Sequence, residues 1–532
     1  MKIPIPSLDI FQRAALKFKN RISVMNYHSN SYTYEDLLGG SLKISNDLTR
    51  NLGKKEDLNQ DRIAFFLPPS FNYVQTKWGI WRAGGVATPL SIQHPPQELE
   101  YILKDSQSSM VVTDSDHKDF ISEITKKLNI PLLEIPTVSE NLGHWNEKDL
   151  STFYMDPSRN AMIIYTSGTT SRPKGVVTTH LNIEAQITTL VNAWKWTEND
   201  HILQVLPLHH VHGVINCVQC AMYSGATCEM MPSKFSPELV INRLIESHLL
   251  PSVSLENLNG NPKITLFMAV PTIYAKLIKY ILEQSKERQD LIKLAFQDLR
   301  LMVSGSSALP ETVKKQWEEL TGHVLLERYG MTEIGMALSN PLEPVSQRLS
   351  GSVGFQLPGV HLHIQEANSE LLVKGPQVFK EYFNKPKETK EAFTVDGWFR
   401  TGDIAERDPT TGHFKILGRS SVDIIKFSGY KISALEIERE ILEHPDIDEC
   451  SVIGVPDPIA GEIIYAILVL KKGKNQPIDQ NLNNFLKDKL AHYKIPKKYI
   501  FTDEIPKNAM SKINKKELLA NLDKLISKQS TT

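Results

Sequence analysis

The stretch IIYTSGTTSRPKG, Ile163 to Gly175, runs from an apolar, strand-like segment into a loop of five hydroxyl side chains, one glycine and a terminal lysine. Backbone amides of such a loop, with the hydroxyls of Thr166, Ser167, Thr169, Thr170 and Ser171 as further donors, suit an anion. Gly168 lets the backbone come close, Arg172 and Lys174 add charge, and Pro173 fixes the turn before the lysine. Together they would cradle a triphosphate and follow pyrophosphate as it departs. The loop lacks the GKS or GKT ending of a P-loop, which disfavours Walker-type hydrolysis; the rival reading is a polar surface turn.

Outward from this loop, short apolar runs alternate with helical periodicity, as strands packed between helices do. Ile63 to Leu67, Met110 to Thr113, Met162 to Tyr165, Ile202 to Leu206 and Leu301 to Ser304 read as buried strands. The expectation is an α/β body of layered subdomains. Near Leu371 the texture changes to short β-like runs broken by Gly and Asp, which predicts a β-rich subdomain. From Val422 onward, DIIKFSG, SALEIEREILEH, CSVIGVPD, EIIYAILVLK and NLNNFLKDKLA predict a small α+β domain with a lysine-rich tail. LPSVSLENLNGNPK, Leu250 to Lys263, reads as a surface loop.

At 532 residues, two or more domains are expected. A net charge of -1 with interspersed acids and bases offers no basic footprint for nucleic acid, so local sites must carry any anion binding. No stretch reaches the ~18 to 20 apolar residues of a membrane span. Cys217, Cys220, Cys228 and Cys450 are too few and too clustered for a disulfide framework and read as buried small hydrophobes. No signal-peptide core opens the chain; cytoplasm is expected, with mitochondrion as the alternative.

Taken with LPLHHVHG (Leu206 to Gly213), ERYGMTE (Glu327 to Glu333), GWFRTGD (Gly397 to Asp403), GRSSVDIIKFSGYKIS (Gly418 to Ser433) and PKNAMSKINKKEL (Pro506 to Leu518), the loop gives six ordered segments. In this the chain resembles the adenylate-forming superfamily of acyl-CoA synthetases along nearly its whole length. The resemblance implies a large nucleotide- and acid-binding domain, residues 1–418, joined by a hinge at Ser420 and Ser421 to a mobile domain, residues 419–532. It implies ATP, Mg²⁺ and coenzyme A as reactants, and an acyl-adenylate intermediate.

The implied roles follow the chemistry of joining two anions, which demands cations and a metal. Glu333 would hold Mg²⁺ and Thr332 touch the α-phosphate, although Thr with following acids reads equally as a helix N-cap. Tyr329 offers a face for adenine; Gly305, Ser306, Ser307, Glu327, Arg328, Gly330 and Met331 surround the nucleotide. Asp403 would bind the ribose hydroxyls, with Arg419 as second ribose contact. Lys512 is the expected catalytic cation, preceded by Ser511 where the family usually has glycine, and the rival reading there is a solvated lysine tail. After the hinge turns, Gly429 would leave room for the CoA arm and Lys426 position its strand.

Within the superfamily the chain is similar to malonyl-CoA and methylmalonyl-CoA synthetases, which handle dicarboxylates. A buried second carboxylate needs cations, and His209, His210, His212 and Arg300 are the candidates, His210 at the family's usual acyl-pocket position. The alternatives are a medium-chain or aromatic acyl-CoA ligase, or a silent nucleotide-binding scaffold.

Overall fold

The computed structural model of the chain describes residues 10–136, 156–166, 173–250, 263–427, 430–474, 476, 477, 479–507 and 513–529. Runs such as Met110–Thr113 (MVVT) and Leu301–Ser304 (LMVS) are buried along their whole length. Uninterrupted apolar strands of this kind form sheets covered on both faces.

Two such sheets build the large part of the chain. One has seven strands, in the order Glu381–Tyr382, Lys174–Thr179, Asn160–Thr166, Val86–Pro89, Arg62–Phe66, Met110–Thr113 and Leu132–Glu134. Its first three strands are antiparallel to one another and the rest parallel. The other has nine strands, parallel from Leu326–Met331 across to Ile22–Asn26 and closed by antiparallel strands at both ends. Ile63, Met162 and Ile164 of the first sheet share one buried cluster with Leu301, Val303 and Leu326 of the second. The remaining faces are covered by helices: Leu99, Ile102 and Leu103 lie over Phe66 and Val111, and Tyr274 and Trp317 over Phe267 and Met302. All five strands expected from the sequence are present, with ends shifted by up to two residues.

The expected β-rich subdomain is a four-stranded antiparallel sheet of His361–Ile364, Glu370–Lys374, Phe399–Arg407 and Phe414–Arg419. A five-stranded sheet follows, its strands drawn only from Ile424 onward, with its own core of Ile425, Ile437, Val452, Ala466 and Leu486. Among the described residues, no helix is long and apolar enough to cross a membrane. All four cysteines are buried and free. The expected loop at 250–263 lies outside the described residues apart from its two ends.

Candidate active site

The two large sheets present their ligand-bearing ends to one cleft. Asn160–Thr166 and Lys174–Thr179 form a hairpin whose last pair is Thr166 with Lys174, at the mouth of the phosphate loop. The loop residues Ser167, Gly168, Thr169, Thr170, Ser171 and Arg172 lie outside the described residues. Lys174 lines a cleft of about 320 Å³ together with Met331, Glu333, Tyr382, Gly402 and Arg419. The family-like segments ERYGMTE and RTGD thus meet the lysine in space.

Thr332 and Glu333 are in the turn between the antiparallel strands Leu326–Met331 and Gly335–Ser339. The N-cap alternative is therefore excluded, since no helix begins there. Glu333 accepts a hydrogen bond from the Tyr382 hydroxyl at 3.0 Å, and the Lys174 ammonium lies 4.8 Å from the centre of the same ring. Tyr382, which the sequence reading missed, thereby links the metal-ligand candidate to the phosphate-side lysine. Its strand has two residues and forms only by pairing with Lys174–Thr179, which leaves no periodicity to read.

Asp403 and Arg419 face each other across antiparallel strands and ion-pair at 3.0 Å. The other Asp403 oxygen accepts from the Tyr329 hydroxyl at 2.6 Å. Burial, then the adjacent carboxylate, raises the Tyr329 pKa, so this phenol stays a donor. One buried aspartate thus fixes the adenine-side tyrosine and the hinge-side arginine together. Gly330 follows at a bulge where a Cβ would meet the Gly335 carbonyl oxygen at 2.1 Å, so the glycine is required by backbone approach. Glu327 is buried and turned away from the cleft onto the Leu309 amide at 3.0 Å, where it holds the segment containing Ser306 and Ser307.

Arg300 does not reach the acid pocket. Its Nε and Nη2 contact the two carboxylate oxygens of Asp200 at 2.7 and 2.6 Å, and Nη1 donates to the Trp194 carbonyl at 2.9 Å. The reason is strand polarity. Arg300 precedes Leu301–Ser304 and Gly305 follows it, so the two positions are five steps apart, about 17 Å at about 3.3 Å per residue. Ligands sit at carboxyl ends of parallel strands.

The residue at the correct end is Arg328, expected beside the nucleotide. It is buried, its Nη2 donates to Ser306 Oγ at 3.3 Å, and among the described residues its Nε has no hydrogen-bond partner. Burial lowers its pKa to about 10, so it remains a cation at neutral pH. Among the described residues no carboxylate forms an ion pair with it. A Cβ on Gly305 would come within 2.6 Å of the guanidinium carbon, so this glycine makes room for Arg328. Ser306 also contacts His212 Nδ1 at 3.2 Å. His212 opens a π-helical turn, His212–Gln219, that carries Asn216, which accepts from Gln186 at 2.8 Å.

His209 and His210 pack at a tilt of 52° with ring centres 4.1 Å apart, and His94 lies 5.1 Å from His209. Burial, then His210 and His94, pushes the His209 pKa well below its usual value. Ser420 and Ser421 form a turn after Phe414–Arg419, with the Ser420 amide donating to the Gly402 carbonyl at 2.9 Å. The Lys426 amide donates to Glu462 at 2.6 Å. Gly429, Ser511 and Lys512 lie outside the described residues.

Residues 11–383 match the model of the AMP-binding enzyme family, and residues 436–512 match that of the AMP-binding enzyme C-terminal domain. The mitochondrial malonate–CoA ligase of Homo sapiens is 44% identical, over 96% of this chain and 92% of that protein. The malonate–CoA ligase of Arabidopsis thaliana is 41% identical, over 97% and 89%. ATP-bound MatB from Rhodopseudomonas palustris superposes with a TM-score of 0.82 at 30% identity, covering 96% of this chain and 98% of that one. With 373 matched residues from 11 through 383 and a large and a small α/β part in matching order, the chain belongs to the AMP-binding enzyme family.

Proposed function

We propose that this chain is a malonate–CoA ligase that works through malonyl-AMP, with methylmalonate as the second substrate. The observation that carries the reading is Arg328, a buried cation with no carboxylate partner among the described residues and an unpaired Nε beside Ser306 and His212. An uncompensated buried charge costs several kcal/mol, and a ligand carboxylate offsets that cost. A fatty or aromatic acid brings no second carboxylate. Relatives that act on malonate, at 41 and 44% identity, support the same choice.

In this mechanism Arg328 holds the distal carboxylate while the other carboxylate points at the α-phosphorus. Asp403, already oriented by Arg419, accepts from the ribose hydroxyls, and Tyr329 carries the adenine. Lys174 offsets charge on the departing pyrophosphate. Glu333 suits Mg²⁺, which is commonly held by one or two carboxylates plus substrate phosphates; bound there, the ion would supply charge screening along the phosphates. A carboxylate oxygen forms its bond to phosphorus as the bond to the β-phosphate oxygen breaks, with Lys512 as the cation between the two anions. The CoA thiolate then attacks the acyl carbon and AMP leaves with the carboxyl oxygen. We place the domain division at 418/419, one residue before the four-stranded sheet ends at Arg419. The human relative is mitochondrial, which favours the mitochondrial alternative over the expected cytoplasmic location.

The test is CoA-dependent AMP release with malonate, methylmalonate, acetate, octanoate and coumarate, on wild type and Arg328→Leu. Malonate is expected to lead. The variant should lose about a hundredfold or more in kcat/KM for malonate, the scale of a buried charge pair left incomplete, and less for acetate. Equal wild-type activity on octanoate would remove the dicarboxylate assignment, and a flat response to all five acids would favour the scaffold.

A further inference from the structure

Helix Pro96–Asp105 lies beside the phosphate-loop hairpin and contacts the residues that border the loop on both sides. On the incoming side, the Tyr165 hydroxyl donates to Asp105 Oδ2 at 2.8 Å. On the outgoing side, the Tyr101 hydroxyl donates to the Pro173 carbonyl at 2.7 Å. Tyr101 and Asp105 are four residues apart, hence on one helix face, and their polar atoms are 3.4 Å apart. The two tyrosine rings meet edge to face with centres 6.3 Å apart. A third strand enters through Lys385, whose ammonium is 3.4 Å from Asp105 Oδ1 and which follows Glu381–Tyr382, the strand carrying the Glu333 and Lys174 partner.

From this arrangement we infer that Asp105 is a positioning residue for ATP: with Tyr101 and Tyr165 it sets the orientation of the phosphate-loop mouth, without touching substrate. The inference rests on the reading of that loop as the triphosphate cradle. Pairing of the two strands, which already ends at Thr166 and Lys174, fixes their separation but not the tilt of the hairpin tip. A tilt of the tip displaces Thr166 and the Lys174 ammonium together, and small misplacements of a binding constellation are costly. The acid pocket draws on Arg328 in the other sheet and on Ser306 and His212 beside it, so the effect is confined to the nucleotide.

The experiment measures ATP–pyrophosphate exchange and steady-state kinetics on the full chain, with Asp105→Ala, Asp105→Asn, Tyr165→Phe and Tyr101→Phe. Asp105→Ala and Tyr165→Phe are expected to raise KM for ATP about tenfold, the scale of one hydrogen bond to a charged group. Asp105→Asn should retain most of the wild-type value, because its amide oxygen still accepts from Tyr165. KM values for malonate and CoA, and thioester formation from supplied malonyl-AMP, should stay at wild type. Tyr165→Phe removes a single oxygen and carries the test if Asp105→Ala fails to fold. Unchanged KM for ATP in the folded variants overturns the inference, as does an equal rise for all three substrates. A wild-type chain silent in exchange would overturn the ligase reading as well, whereas active wild type with unaffected variants removes this inference alone.

Discussion

Glu327 holds the Leu309 amide from a fully buried position, and burial raises its pKa from 4.5 to about 7. A carboxyl whose folded pKa lies above its unfolded one binds its proton more tightly in the folded state. Its contribution is therefore complete below about pH 4.5 and is lost as pH climbs towards 7. At about 1.4 kcal/mol per pKa unit, ionising it costs the fold about 3 kcal/mol above that window. Glu327→Gln keeps an acceptor for Leu309 and removes the charge. Melting curves of the two proteins should coincide near pH 4.5, with the variant the more stable at pH 8; a difference that does not change between these pH values would disprove the assignment. The neighbouring position carries a different lesson. Arg300 stands in ordinary local sequence, DLRLM, and Arg328 in a segment, ERYGMTE, read for the nucleotide rather than for the acid. Which one serves the pocket depends on which end of a parallel strand faces the cleft, and that is a property of the assembled sheet.

The lysine-rich C-terminal segment, read in one alternative as a solvated tail, is partly internal. Lys507 ion-pairs with Glu449, and Lys515 is buried between Asp423 and Glu438 at 2.6 and 2.7 Å, although neither of the latter contacts has hydrogen-bond angles. Burial alone would lower the Lys515 pKa; Glu438 and Asp423 outweigh it and raise the value. Lys515 opens the helix Lys515–Ala520, and Asp423 stands between the hinge turn and the strand Ile424–Phe427. The cluster therefore binds the last helices to the start of the small domain. Lys515→Met leaves two buried carboxylates without their cation and should destabilise that domain by about 3–5 kcal/mol, visible as an earlier urea transition in the C-terminal part. A transition unmoved by the substitution would mean the two acids are relieved by solvent. At this scale the strands were legible wherever burial on both faces made the run continuously apolar, as in MVVT and LMVS. Glu381–Tyr382 and the turn at Thr332 and Glu333 were not, because partner strands create them.

The whole molecule has to bring two different reagents to one acyl group, a triphosphate first and a thiol second. Arg419 is held against the large domain by Asp403, while Asp423, which accepts from the Arg419 amide at 3.0 Å, is engaged by Lys515 in the small one. We propose that rotation between the two is absorbed by residues 420–422, which include Ser420 and Ser421, the hinge that the family resemblance implies. A rotation that withdraws Lys512 and presents the strand with Lys426 makes the lysine necessary for one half-reaction only. Lys512→Ala should thus lower malonate-dependent ATP–pyrophosphate exchange about a hundredfold or more, the scale of one preorganised charge-stabilising donor. Thioester formation from supplied malonyl-AMP and CoA should remain largely intact, measured by CoA consumption in the absence of ATP. If both halves fell together, one fixed arrangement would have to serve both steps, and the three-residue connection between Arg419 and Asp423 would be a plain linker.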